Sequence, residues 1–182
     1  TWHEASLKES EEHFQAIANV APLKIWLTDQ SGQRVFFNRG WLRFRGRTIE
    51  EEQGFGWIEG IDPGDLVQLM NSYLAAFRRR EPYQIEYRIL GADGLYHWLM
   101  ENGAARIDAQ GEFLGFIGSC VDVTESKKTA NQLSRSETRL HILDYIADGL
   151  NAGKSPEEII AEAVSKLQLE LKELRVLYST VT

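Results

Sequence analysis

Residues 83–90, YQIEYRIL, put Tyr83, Ile85, Tyr87 and Ile89 on one side and Gln84, Glu86 and Arg88 on the other. Alternation with a period of two describes a strand with one buried face. Turn chemistry follows at Ala92-Asp93-Gly94 and again over 108–111, and apolar-rich strands are expected over 95–106 and 113–123. The second half of the chain is therefore expected to be a three-stranded antiparallel meander, whose apolar face needs a cover.

The first half supplies that cover. A helix is expected over 6–20, with Ser6 and Glu9 at capping-box spacing, Phe14, Ile17, Ala18 and Ala21 on one face, and Pro22 closing it. Strands over 25–29 and 33–37 flank a turn at Ser31-Gly32. Asn38 caps a short helix stopped by Gly46, and Thr48 with Glu51 caps another that ends at Gly54. Pro63 starts a longer helix with Leu66, Leu69, Met70, Tyr73, Leu74 and Phe77 on one side. The fold class this predicts is α+β: a five-stranded antiparallel sheet with short helices on one face and a long C-terminal helical extension.

The last strand, in GEFLGFIGSCVDVTE over 111–125, stops at Asp122-Val123-Thr124, where a polar, Leu-spaced helical pattern begins at once. With no slack chain between them, movement in the sheet must displace the helix. Thr124 is placed to cap it, and the Asp122 carboxylate to accept from nearby amides and the Thr124 hydroxyl. The same pair also reads as an ordinary helix cap without a switching role. Further on, Leu133, Leu140 and Ala147 share one heptad seam position and Leu143 and Leu150 the other, although Ser126, Thr129 and Ser136 weaken the first half. A second helix is expected over 155–174, capped by Ser155-Pro156-Glu157-Glu158, and a strand over 175–181.

Composition narrows the function classes. Lys and Arg total 20 against 27 Asp and Glu, a net charge of -7, which argues against a nucleic-acid partner. Arg78-Arg79-Arg80 reads as a solvated helix end. The single cysteine allows no intrachain disulfide and fits a reducing, cytoplasmic setting. No apolar run approaches the ~20 residues of a membrane span. Without an initiating Met or a signal-peptide pattern, the chain is expected to be a piece of a longer cytoplasmic protein.

Catalytic chemistry finds little support. His3, His13, His97 and His141 have no partner at metal-ligand or triad spacing, so neither a catalytic nor a metal site is assigned. The candidate pocket lining is Trp26, Trp41, Phe44, Trp57, Tyr87 and Trp98, with Phe116, Gly118 and Cys120 from the last strand. Gly118 leaves room beside Cys120, yet ordinary packing of these rings gives a collapsed, ligand-free core. Cys120 reads either as pocket-facing or as a small buried hydrophobe.

Five fragments in order carry a family resemblance: WLTDQSGQRVFFN at 26–38, NRGWLRFRG at 38–46, GFGWIEGIDPGDL at 54–66, EYRILGADGLYHWL at 86–99 and GFIGSCVDVTE at 115–125. Together they resemble a sensory PAS domain, with its core over 23–125, an N-terminal flank over 1–22 and a helical coiled-coil-like linker over 126–150. The closing Asp-x-Thr of that family is matched by Asp122 and Thr124. Residues 137–182 resemble the opening of a GAF domain, truncated, with 151–182 as its start. The resemblance implies a non-enzymatic sensor and dimerisation module of a histidine kinase or diguanylate cyclase, that effector lying outside this chain. The alternative is an interaction module with no ligand. No cofactor is predicted, though an unknown small ligand remains open. Histidine-ligated haem is disfavoured because residues 45–80 hold no histidine, and Asp62 stands where relatives commonly show His. Flavin-adduct photochemistry is disfavoured because Cys120 sits on the wrong element. A homodimer is expected through Phe14, Ile17, Ile117, Val121, Leu133, Leu140 and Leu143.

Overall fold

The structure is a computed structural model describing residues 2–165. Its elements are α1 (Trp2–Val20), β1 (Lys24–Thr28), β2 (Arg34–Phe37), α2 (Arg39–Arg45), α3 (Ile49–Glu52), α4 (Pro63–Arg79), β3 (Tyr83–Leu90), β4 (Tyr96–Ile107), β5 (Phe113–Asp122) and α5 (Thr124–Asn151). The five strands form one antiparallel sheet in the order β2-β1-β5-β4-β3. The β1–β2 hairpin thus joins the free edge of the meander, which makes β5, the strand that feeds α5, central.

Local chemistry sets the boundaries. Asn38 accepts from the Trp41 amide at the start of α2, and Gly46 ends that helix in the left-handed region. Thr48 and Glu51 form a complete capping box on α3. Asp62 accepts from the Gly64 amide ahead of Pro63 in α4. The first helix departs from expectation. It starts at Trp2, so Ser6 lies inside α1 and not at its start.

One face of the sheet is buried under α2, α3 and α4. Trp26, Phe37, Ile85, Tyr87, Ile89, Leu99, Phe116 and Cys120 meet Trp41, Trp57, Leu69, Tyr73 and Ala76 there. Leu74 sits on the exposed side of α4, contrary to expectation. Gly103 of β4 pairs with Gly118 of β5. An added Cβ would lie 2.0 Å from the Trp26 indole at Gly118 and 2.3 Å from the Tyr83 ring at Gly103. These glycines let two aromatic rings lie directly on the sheet, so the room left by Gly118 is taken by Trp26.

The chain divides into two compact units between Glu125 and Ser126. In the second, Ser155 and Glu158 exchange the two hydrogen bonds of a capping box, and residues 156–165 are helical. The rest of the helix expected over 155–174, and the strand expected over 175–181, lie outside the described residues.

Candidate functional site

The buried face holds a carboxylate. Glu101 on β4 has no solvent exposure and accepts hydrogen bonds from five side chains. Arg34 Nη2 reaches both oxygens at 2.9 and 3.0 Å, Tyr83 Oη donates at 2.6 Å and Tyr87 Oη at 2.8 Å. Trp26 Nε1 donates at 3.1 Å and Cys120 Sγ at 3.2 Å. Burial alone would push the Glu101 carboxyl up. The Arg34 charge and the Tyr83 and Tyr87 hydroxyls outweigh it and hold the group below its ordinary value. Burial raises both tyrosines and Cys120 well above theirs, helped by the neighbouring Glu101 charge, so Cys120 is a thiol donor rather than a thiolate.

Arg34, from the edge strand β2, is also fully buried. Its guanidinium carbon lies 3.9 Å from the Trp26 ring centroid and 3.5 Å from that of Trp57. Such stacking suits a weakly hydrated planar cation. Arg34 Nε and Nη1, and Trp57 Nε1, are buried without a hydrogen-bond partner.

A second buried carboxylate ties the helices together. Glu52 of α3 accepts from Trp41 Nε1 at 2.6 Å and pairs with Arg45 at 3.3 Å and Arg47 at 2.8 Å. Arg45 also donates to the carbonyls of Leu90 and Glu59. The Glu52 charge is paired with Arg45 and Arg47, although Arg47 Nε makes no hydrogen bond, and the Arg45 bonds to Leu90 and Glu59 make this cluster an anchor between the helical half and β3.

At the end of β5, the Thr124 amide donates to Asp122 Oδ1 at 3.0 Å. The Thr124 hydroxyl accepts from the Trp98 amide of β4 at 2.9 Å, and the Val123 amide donates to the Trp98 carbonyl at 2.8 Å. Thr124 is the first residue of α5. Asp122 accepts from the Thr124 amide as expected and so holds the helix start, whereas Thr124, instead of capping the helix, ties it sideways to the neighbouring strand. Asp122 also meets His97 Nδ1 at 2.9 Å, while His97 Nε2 meets Asp93 at 2.9 Å. Partial burial would raise the Asp122 carboxyl, but Thr124 and His97 bring it below its ordinary value.

Residues 34–120 match the family model described as the PAS fold. The chain contains a PAS domain. A sensory box histidine kinase/response regulator from Burkholderia thailandensis has the same fold at TM-score 0.53 and 24% identity, covering 70% of this chain and 97% of that one. An uncharacterized protein, y4lL, of Sinorhizobium fredii is 36% identical over 136 residues, 75% of this chain. The two-component sensor PprA of Pseudomonas aeruginosa is 31% identical over 97 residues, 50% of this chain. This chain spans only 16% and 10% of the lengths of those two relatives.

Within the PAS core, Trp41, Trp57, Tyr87, Phe116, Gly118 and Cys120 come together on the buried face. Phe44 sits at its edge, 5.3 Å from the His97 ring and 4.7 Å from Lys24 Nζ. Trp98 does not belong to the pocket. It pairs with Arg88 across the outer face and lies 5.2 Å from that guanidinium. Its parity is opposite to that of Leu99 and Glu101, which a tryptophan in an apolar run conceals. The charged centre, Arg34 and Glu101, was missed for a related reason, since charged residues default to the surface. The usable signal was Glu101 sharing the parity of Leu99.

Of the candidate dimer contacts, Phe14 stacks on Phe36 of β2 at 5.5 Å, and Ile17 is 68% exposed. Ile117 and Val121 are half-buried on the outer sheet face. Leu133, Leu140 and Leu143 of α5 are exposed. Among the described residues, no His, Cys, Asp and Glu side chains cluster to hold a metal ion, and no helix is long and apolar enough to cross a membrane.

Proposed function

We propose that this chain is the sensory and dimerisation part of a longer cytoplasmic signalling protein, a histidine kinase or diguanylate cyclase. It relays changes in the PAS core through Asp122-Val123-Thr124 into the linker helix, and a GAF domain opens within 151–182. The observation that carries the relay is the hydrogen bond from the β4 backbone at Trp98 to Thr124 Oγ1. Glu101 lies three residues further along the same strand, so a shift of the core carboxylate and a shift of the helix start share one backbone. Pairing of two copies through α5 accounts for leucines spaced as a seam yet left exposed.

Hydrogen exchange over residues 122–128 tests the relay. Tyr87→Phe removes one donor from Glu101 without charge or volume change, and is expected to speed exchange there. Thr124→Val is expected to speed exchange by itself and to abolish the further response to Tyr87→Phe. If exchange over 122–128 ignores Tyr87→Phe, the relay reading fails. The interaction-only reading draws support from the Trp26 ring filling the space over Gly118.

A further inference from the structure

His97 of β4 stands between two carboxylates. Its Nδ1 lies 2.9 Å from Asp122 Oδ2 beside the start of α5, and its Nε2 lies 2.9 Å from Asp93 Oδ2 in the β3–β4 turn. The other oxygen of each carboxylate is already engaged. Asp122 Oδ1 accepts from the Thr124 amide, and Asp93 Oδ1 from the Leu95 amide. The ring is held in this pose from two further sides. Phe44 of α2 stands edge-on to it at 5.3 Å, and a Cβ added at Gly91 would lie 3.0 Å from His97 Cδ2. The charged groups around the ring are Asp93 of the turn, Asp122 of β5 and Lys24 of β1, whose Nζ lies 4.7 Å from the Phe44 centroid.

Counting hydrogens fixes the protonation of this bridge. The Leu95 amide and His97 hold the Asp93 carboxyl below its ordinary value, and Thr124 and His97 do the same for Asp122 against partial burial. Both are ionised above about pH 5, where they accept without donating. A neutral imidazole carries one donor and one acceptor nitrogen, whereas the imidazolium carries two donors. Only the imidazolium satisfies both contacts. Once one proton leaves, a nitrogen lone pair faces a carboxylate oxygen, and that end must part. The Asp93 side chain is 50% exposed against 30% for Asp122, so water replaces the ring more cheaply at Asp93.

We propose that His97 is a proton-operated clasp between the β3–β4 turn and the start of α5: the imidazolium joins Asp93 to Asp122, and the neutral ring keeps Asp122 and releases the turn. Imidazole changes charge between about pH 5 and 8, so the stimulus is a modest change of pH. For its consequence in α5 the clasp rests on the relay reading above, to which it adds the proton as the thing sensed. The bond kept to Asp122 loses its cationic donor at the same step and weakens, which loosens the hold on Thr124. Ion pairs this exposed contribute little to global stability, so the change is local to the turn and the helix start.

Ring-nitrogen NMR of the purified chain reads the proton directly, with the His97 signals assigned by their loss in His97→Gln. Two protonated nitrogens are expected at about pH 5.5, and a proton on Nδ1 alone at about pH 8.5. Hydrogen exchange is compared as protection factors, which removes the intrinsic pH dependence of the amides. Protection over residues 91–95 is expected to fall roughly two- to fivefold between those pH values, the size of an exposed ion pair. His97→Gln has no ring proton to lose, and Asp93→Asn offers a donor or an acceptor to either form of the ring. In both variants the fall is expected to vanish. A neutral ring protonated on Nε2 overturns the clasp, as does turn protection that is equal at both pH values or a fall that persists in His97→Gln. Exchange over 122–128 separates the clasp from the relay. A released turn with no response there keeps the clasp and sinks the relay, whereas a response to Tyr87→Phe with the turn still held does the reverse.

Discussion

Glu101 sets the cost of tampering with the core. Glutamine at this position keeps the shape but turns one acceptor end into two donors, facing Tyr83, Tyr87, Trp26 and a guanidinium that would lose its counter-charge. Breaking one partner of a buried pair costs about 3–5 kcal/mol, so Glu101→Gln is expected to lower unfolding stability by that amount in urea denaturation. A loss below about 1 kcal/mol would mean that the pair is not dry. Gly118 is constrained by contact rather than charge, since a methyl group there would overlap the Trp26 indole, 2.0 Å away. Overpacking of this kind costs about 1–3 kcal/mol. Gly118→Ala is expected to lie in that range, and the double variant Gly118→Ala with Trp26→Phe to cost less than the sum of the two singles. Strict additivity would show that the ring and the glycine do not meet. Glu101 does not announce its role in sequence, where a glutamate beside Asn102 looks like a surface charge, and Gly118 shows only that it leaves room, not which ring takes it.

Elements were more legible than sites. The run Tyr83–Leu90 matches β3 residue for residue, because a period-two pattern with one clean polar face admits a single register. Caps at Asn38 and Thr48 marked helix starts correctly, since each side chain accepts from a backbone amide three residues on, and so did Pro63 at the first position of α4. β4 was harder. Trp98 and Met100 lie on one parity and Leu99 on the other, with Glu101, so both faces carry apolar residues and neither is polar enough to identify the outside. The meander and its covering helices were thus readable, while the charged centre under them needed the three-dimensional partners of Arg34 and Glu101. For α5, Leu140 and Leu143 are exposed although spaced as a seam. Replacing both with Lys puts like charges where a second helix would pack, and is expected to halve the mass seen by light scattering while far-ultraviolet dichroism stays unchanged. An unaltered mass would remove α5 from the dimer contact.

Linkage over the whole molecule predicts a stability plateau with two edges. On the acid side, Glu101 and Asp122 are held below their ordinary values against the opposing pull of burial, and Asp65 by its hydrogen bonds with Arg88. A carboxyl depressed in the folded state contributes stability that is fully present above its unfolded value, about 4, and lost as pH falls through the folded one. On the alkaline side the sign reverses. Burial, and then the Glu101 charge, raise Cys120 well above its ordinary value, so the unfolded chain gives up the thiol proton first, from about pH 8.5 upward, and the folded state loses ground. Denaturation midpoints are therefore expected to be flat between about pH 5 and 8 and to fall on both sides. Each edge has its own control. Cys120→Ala removes the thiol and should flatten the fall just above pH 8.5, leaving the later loss from Tyr83 and Tyr87, whose values burial also raises. Glu101→Gln lowers the plateau and should flatten the acid edge, because the group whose protonation drives it is gone. Acid curves that run parallel in the wild type and Glu101→Gln would show that Asp65 and Asp122, and not the fully buried carboxylate, set the lower edge.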